Sequence, residues 1–303
     1  MSLFTYDIHD WPSWSKVFHS IVAWQPLIEY IFQKENLPFT AVERLTPGTN
    51  AVFKVGEYVV KIFAPIESGI DSTLDIQTET FAMKRSIAFG ISVPKCIACG
   101  CVEDKYSFSY MIMEFISGKE FTDVADTLSN GEKVAFGRKL REITDKMNTP
   151  CESFNGIDVL NDKGRYRRWG KYPAAFLQER LDYIKTHNYG EKVFVHGDLC
   201  SDNILVANDG GLFIIDFADA VTAPVIYEQA HVASELFRFD KAFLTGYFGE
   251  YDPYWLTDLC FSGLLIHDFG GDIIGQHVAK PEEITSLEIM REKLYGLIKT
   301  EKA

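Results

Sequence analysis

The sequence predicts an α+β fold in two lobes, on three observations. Five strand-like runs, with one helical stretch among them, crowd the first 115 residues. Past Ile116-Ser117-Gly118 the apolar spacing becomes mainly helical, and one strand-turn-strand pair interrupts it. Strands first and helices later indicate segregated α+β packing rather than an alternating parallel sheet. The expected division is 1–116 for an N-terminal lobe, a nucleotide-binding sheet preceded by a helical segment. Residues 117–303 form a mainly helical C-terminal lobe, with Gly118 as the hinge.

Taken in order, residues 1–38 read as helical, with Trp14, Val17, Phe18, Ile21, Trp24, Leu27 and Ile31 at mixed spacing. Runs 40–45, 51–55 and 58–63 read as strands of a meander. Pro47-Gly48-Thr49-Asn50 and Gly56-Glu57 punctuate them as turns. Residues 73–88 read as a helix whose apolar stripe is Ile76, Thr80, Met83 and Ile87, with Glu79 beside it. Strands 95–101 and 108–115 complete five, joined by Glu103-Asp104-Lys105. Residues 132–148 put Phe136, Leu140, Ile143 and Met147 on one helical face, and 176–186 is a second helix. The strands 204–206 and 212–215 flank Asn208-Asp209-Gly210-Gly211, a hairpin signal. Residues 227–299 read as three or four helices.

Composition narrows the classes. A net charge of −13 over 303 residues repels nucleic acid and anionic membranes. The first eleven residues lack the basic and apolar regions of a signal peptide, and no apolar run spans a bilayer. Six cysteines do not make a disulfide scaffold, so a cytoplasmic location is expected. Cys96, Cys99 and Cys101 offer three thiols, but a tetrahedral zinc site needs a fourth ligand, so they read as packing in a strand. No signal for an oligomeric state is present.

The densest chemistry lies in His196-Gly197-Asp198-Leu199-Cys200-Ser201-Asp202-Asn203 and the later Ile214-Ile215-Asp216-Phe217. Asn203 and Asp216 bracket the hairpin, so folding brings them near one ion. An amide oxygen and a carboxylate suit magnesium, which takes its other oxygens from phosphates and water. Asp198 precedes them and is placed to orient a hydroxyl or take its proton. Lys61 interrupts the apolar run Val59-Val60-Lys61-Ile62-Phe63, and Glu79 on the next helix can pair with it. Gly48-Thr49-Asn50 joins the first two strands, where backbone N–H groups can face phosphate oxygens. Positioned phosphates, a metal, an oriented hydroxyl and charge neutralisation are the needs of phosphoryl transfer.

These residues together resemble the aminoglycoside phosphotransferase and choline kinase group, small-molecule kinases with a protein-kinase-like fold. His196-Gly197-Asp198 with Asn203 is similar to its catalytic loop, and Ile215-Asp216-Phe217-Ala218-Asp219-Ala220 to its metal-binding segment. Lys61 and Glu79 match its lysine–glutamate pair. Met113-Glu114-Phe115-Ile116-Ser117-Gly118 is similar to its hinge strand, which implies that backbone groups of Glu114 and Ile116 meet adenine. The likeness runs over residues 40–235. It departs at Cys200-Ser201-Asp202, where many relatives carry small residues such as His-Pro-Gly. Protein kinases usually have arginine where Gly197 stands, and no Ala-Pro-Glu follows Asp216; Ala223-Pro224-Val225 lacks the glutamate. The resemblance implies ATP as donor, with GTP left open, and Mg2+. It also implies direct in-line transfer to a small hydroxyl-bearing molecule.

The acceptor is read from residues 217–275, where nine acidic residues face two basic ones. Such a surface draws a cationic substrate, most of all an aminoglycoside antibiotic. Asp202, Glu228, Glu235 and Asp268 are its candidate contacts. Tyr247, Phe248, Tyr251, Tyr254 and Trp255 give a competing reading, an aromatic cage for a quaternary ammonium. The alternative is therefore a metabolic kinase for choline, a sugar or homoserine, and after it a silent nucleotide-binding protein. His231 and His267 read as packing histidines.

Overall fold

Alternating burial along the first strands drives the N-terminal part into a sheet. The computed structural model describes residues 2–46, 48–161 and 168–299. Its strands are β1 (Val42–Arg44), β2 (Ala51–Val55), β3 (Tyr58–Ile62), β4 (Cys96–Glu103) and β5 (Ser107–Glu114). All pair antiparallel, in the order β1-β2-β3-β5-β4. Helices α1 (Trp11–Ser15) and α2 (Ile21–Lys34) precede the sheet, and α3 (Asp75–Ala88) lies between β3 and β4. One sheet face buries Phe53, Val60, Ile62, Tyr110 and Ile112 against Trp24, Leu27, Ile28 and Ile31 of α2. The other presents Phe63 and Met111 to α3 and to the core of the C-terminal part. By the two-residue period of a strand, Lys61 shares that second face.

Two expectations change here. Residues 2–10 are not helical; they run irregularly along the sheet, burying Phe4 and Ile8. The Asp104 carboxylate accepts the N–H groups of Leu3 and Phe4 at 3.0 and 2.8 Å, giving that backbone partners outside a helix. Helix α3 is also rotated from its apolar stripe. Thr78, Glu79, Ala82, Met83 and Ser86 are its buried residues, while Ile87 is 55% exposed. Turning Glu79 inward to meet Lys61 costs the helix its most apolar arrangement.

The C-terminal part contains β6 (Gly118–Glu120), α4 (Asn130–Met147), α5 (Ala174–Thr186), β7 (Lys192–Val195), β8 (Ile204–Ala207), β9 (Leu212–Ile214) and β10 (Val221–Pro224). It ends in α6 (Ile226–His231), α7 (Lys241–Phe248), α8 (Pro253–Ile266), α9 (Gly270–Ile273) and α10 (Leu287–Lys299). Helix α4 starts two residues before 132 because Ser129 and Glu132 form a capping box. More helices than expected follow residue 226, since Asp240 and Asp252 each cap a new start at α7 and α8. Strands β6, β8 and β9 form one sheet, and β7 pairs with β10. Gly118 is therefore not a free hinge. It pairs with Ala207, and a Cβ on it would lie 2.3 Å from the Val206 carbonyl oxygen. No helix among the described residues is long and apolar enough to cross a membrane.

Candidate active site

The His196–Asn203 loop hangs between β7 and β8 and is fixed from both ends. His196 is fully buried, and its Nε2 lies 2.9 Å from the Ile215 carbonyl oxygen beside the end of β9. Its Nδ1 accepts the Asp198 N–H at 3.3 Å. Only the neutral Nε2–H tautomer satisfies both contacts. Burial, which lowers its pKa, favours that form. Gly197 has φ +85°, and a Cβ there would sit 2.1 Å from the Asp219 carbonyl oxygen. This close approach, set by the neighbouring Phe217–Asp219 turn, excludes an arginine from the position.

Asp198 is bracketed by two side chains. Asn203 Nδ2 donates to its backbone oxygen at 2.8 Å and to its Oδ2 at 3.2 Å. His231, on α6, brings Nε2 to 3.5 Å from the other carboxylate oxygen. Burial opposes the Asp198 charge, but His231, His196 and Asn203 together hold its pKa below the usual carboxylate range. Burial likewise opposes charge on His231, and the Asp198 carboxylate with Glu228 and Glu235 raises its pKa. His231 stacks on His267, which stacks on Tyr227, with ring centroids 4.7 and 3.9 Å apart. From sequence alone His231 reads as packing. Its position three residues after Glu228 on a short helix was the signal that the two could face the same loop.

Lys61 is 4% exposed and lies 2.7 Å from both Glu79 Oε2 and Asp216 Oδ1. Burial opposes its charge; the Asp216 and Glu79 carboxylates outweigh burial and hold it protonated well above the ordinary lysine range. Burial drives the Glu79 pKa up toward about 7, against the pull of Lys61. Both shifts are upward, favouring a charged Lys61 and a proton on Glu79; the contact geometry, with two acids on one lysine, keeps Lys61 charged. Asp216 has φ 60°, a left-handed conformation that is strained for a non-glycine residue. Ile215 N–H donates to the Asn203 carbonyl oxygen at 3.1 Å, joining the two ends of the hairpin. An amide oxygen on Asn203 and a carboxylate on Asp216 form a hard donor set that fits magnesium. Among the described residues no group of three or more His, Cys, Asp or Glu could hold a metal ion.

The nucleotide candidates are spread around this centre. Gly48 and Thr49 are exposed at the turn before β2, while Pro47 lies outside the described residues. Thr49 accepts the Trp14 indole N–H through its carbonyl oxygen at 2.9 Å. The Asn50 side chain is turned inward, accepting the Ala64 N–H at 3.0 Å, so it braces the turn instead of facing a phosphate. Phe115 N–H bonds to the Glu57 carbonyl oxygen, which makes Tyr58–Glu114 a pair with no hydrogen bonds between its members. The polar backbone of Glu114 thus points away from β3, where its N–H donates to Lys95 O at 3.0 Å. Ile116 follows directly, before β6.

The acceptor candidates separate. Asp202 is exposed beside Asn203, and Asp268 is half-buried just past α8, with its N–H on the Tyr227 hydroxyl at 3.1 Å. Glu235 accepts from His277 Nε2 at 2.9 Å, and that bond keeps its pKa low. Glu228 is a correction: it is 1% exposed and cannot touch an acceptor. Its Oε2 instead accepts the Gly197 N–H at 3.1 Å, which places it under the loop. Asp219 emerges in its place, solvent-reachable yet set among protein atoms and carboxylates. Partial desolvation and the nearby Asp198, Asp216 and Asp268 carboxylates push its pKa up, less than full burial would because the residue is exposed. Burial also raises Asp75, on α3, to about 6. Of the aromatic residues, Tyr247, Phe248 and Trp255 contact one another in series. Tyr247 is buried with its hydroxyl on Thr144, Phe248 packs on Trp255, and Tyr254 stacks on Tyr295.

A lysine clasped between a helix glutamate and a hairpin aspartate, beside a His-Gly-Asp loop on this α+β fold, defines a kinase-like phosphotransferase. The chain belongs to the phosphotransferase enzyme family (APH), whose model matches residues 42–258. No curated protein sequence matches it. Among solved structures it is similar to a GDP complex of aminoglycoside 2'-phosphotransferase-IIIa. That match has 18% identity and a TM-score of 0.59, and covers 90% of this chain and 92% of the other. It is also similar to a choline/ethanolamine kinase family protein from Mesorhizobium loti, at 16% identity and TM-score 0.54 over 86% and 89% of the two chains. A microcompartment-associated aminopropanol kinase matches at 15% identity and TM-score 0.56 over 90% and 95%. At these identities the likeness is one of fold.

Proposed function

We propose that the protein transfers the γ-phosphate of ATP to a hydroxyl of a small polycationic molecule, of the aminoglycoside type. The observation that carries the reaction is Asp198, a carboxylate fixed by Asn203 on one side and His231 on the other, in the loop before the hairpin whose Asp216 binds Lys61. Asp198 orients the acceptor hydroxyl and takes its proton as the phosphoryl group moves in line, with no phosphoenzyme. Lys61, steadied by Glu79, grips the nucleotide phosphates. The Gly48-Thr49 turn covers them, and the backbone of Glu114 and Ile116 meets the base. Asn203 and Asp216 would hold magnesium, which would supply charge neutralisation of the phosphates.

The acceptor class rests on charge. Asp75, Asp198, Asp216 and Asp268 all lie near enough to act on Asp219, a group of carboxylates that suits several ammonium groups rather than one. A small amino alcohol is the second reading, favoured by the aminopropanol kinase likeness in fold. ADP release is measured with a panel of aminoglycosides, choline, aminopropanol, homoserine and simple sugars. Turnover on amino alcohols alone would overturn the aminoglycoside assignment. Asp198→Asn should lower kcat by about 10²- to 10⁴-fold while nucleotide affinity is kept. Undiminished turnover would remove Asp198 from its role.

A further inference from the structure

We propose that Cys96 and Cys99 form a redox-active dithiol that exchanges with low-molecular-weight disulfides. The sequence reads the pair as strand packing, but the structure does not bury it. Cys99 and Cys101 are exposed and Cys96 is half-buried. Strand β4 has an irregularity between Cys96 and Ala98, where one extra residue is taken up. In a regular strand, positions three apart point to opposite faces. The bulge cancels that alternation. Cys96 pairs with Met113, Cys99 with Met111 and Cys101 with Ser109, so all three thiols share one face. The Cys96 and Cys99 sulfurs lie 3.3 Å apart.

Closing that gap to a disulfide bond of about 2.05 Å needs a shift of little more than one ångström. β4 is the edge strand of the sheet, bonded only to β5, so it can shift without breaking a second ladder. Cys99 is the attacking sulfur. It faces α3, with Thr80 Oγ1 at 3.9 Å, and the Cys96 S–H, Thr80 and the Lys84 charge favour its thiolate over burial. The α3 surface beside Thr80, formed by Ile76, Gln77, Thr80, Phe81 and Lys84, is open to solvent. It admits a small disulfide, and Lys84 suits one that carries carboxylates, as glutathione disulfide does. Cys101 is engaged elsewhere, with its sulfur 3.4 Å from Glu103 and 3.1 Å from Ser107 Oγ.

The chemistry balances within the pair and its oxidant. Cys99 thiolate attacks one sulfur of the external disulfide, forming a mixed disulfide and expelling one thiolate. Cys96, having lost its proton to solvent, attacks the Cys99 sulfur and expels the second thiolate. Two thiols of the protein are oxidised to one disulfide, and one external disulfide is reduced to two thiols. The reduced full-length protein is titrated with glutathione disulfide, and its cysteines are mapped by peptide mass spectrometry. A Cys96–Cys99 disulfide should form with about tenfold less modification at Cys101, Cys151 and Cys200. Cys96→Ser should stop at a stable glutathionyl adduct on Cys99. Reaction at Cys101 ahead of the pair, or a glutathionyl adduct on wild-type Cys99 that never resolves, would overturn the proposal.

Discussion

At the residue scale, the acids that matter are those whose surroundings the sequence could not display. Asp198, Asn203, Asp216, Lys61 and Glu79 were all legible, because their spacing along the chain is tied to a hairpin and a helix. Glu228 was misplaced because its charge suggested solvent, whereas its carboxylate sits under Gly197. Burial there lifts its pKa to about 7, against an ordinary value of 4.5. The native state then holds a proton that the unfolded chain has released between these values. Stability therefore falls as pH rises from about 4.5 to about 7 and levels above, by about 3 kcal/mol at most. Glu228→Gln keeps an oxygen for the Gly197 N–H and should lose this fall. Thermal unfolding across pH 5 to 8 should show the variant gaining on the wild type as pH rises; a constant difference removes the buried proton. His231 acts on Asp198 from the same helix, so its loss should be felt in turnover more than in binding. His231→Gln should lower kcat by about tenfold or more with nucleotide Kd unchanged, measured by steady-state kinetics alongside calorimetric titration. An equal loss in both would make it a packing residue, as the sequence suggested.

At the scale of elements, the loop owes its position to sheet contacts that no periodicity reveals. Strand β6 is three residues long and reaches β8 across more than eighty positions of chain. It pins Ile204–Ala207, the strand that follows Asn203, and Asn208 N–H closes on the Ser117 carbonyl oxygen at 3.1 Å. Gly118 read as a hinge because glycine after a strand commonly is one. Its actual use is steric, since only a hydrogen fits against Val206 O. Gly118→Ala should cost about 1–3 kcal/mol through strand separation. It should also weaken turnover, because the strand it displaces directly follows Asn203. Chemical denaturation with an unchanged m-value and a lower midpoint checks the first part; wild-type stability would show that β6 yields freely. Helix α3 teaches the converse lesson. Its apolar residues alone predict one buried face, but the Lys61–Glu79 contact selects another and leaves Ile87 in solvent. Periodicity recorded the helix and missed its rotation, because an ion pair decided the orientation.

At the scale of the whole molecule, the charge of −13 is unevenly spent: more than half of it falls within residues 217–275, and cleft acids from α3 and the loops add to it. A field built from several carboxylates acts at long range on a substrate with several ammonium groups, and weakly on one with a single charge. Salt separates these cases. Raising ionic strength from about 0.1 to 1 M shortens the screening length from about 10 to 3 Å. That is shorter than the reach of a multi-ring amino-sugar, so its outer ammonium groups lose contact with the field. The KM for an aminoglycoside should rise by about fivefold or more, with kcat held, because the groups being screened lie away from the transferred phosphoryl. A single-ammonium alcohol should shift less. The nucleotide, an anion entering an acidic cleft, should bind no more weakly in salt. Steady-state kinetics at fixed magnesium across that salt range makes the comparison. An aminoglycoside KM that does not move with salt would show that recognition comes from shape and hydrogen bonds, leaving the acidic helices as a solvated surface.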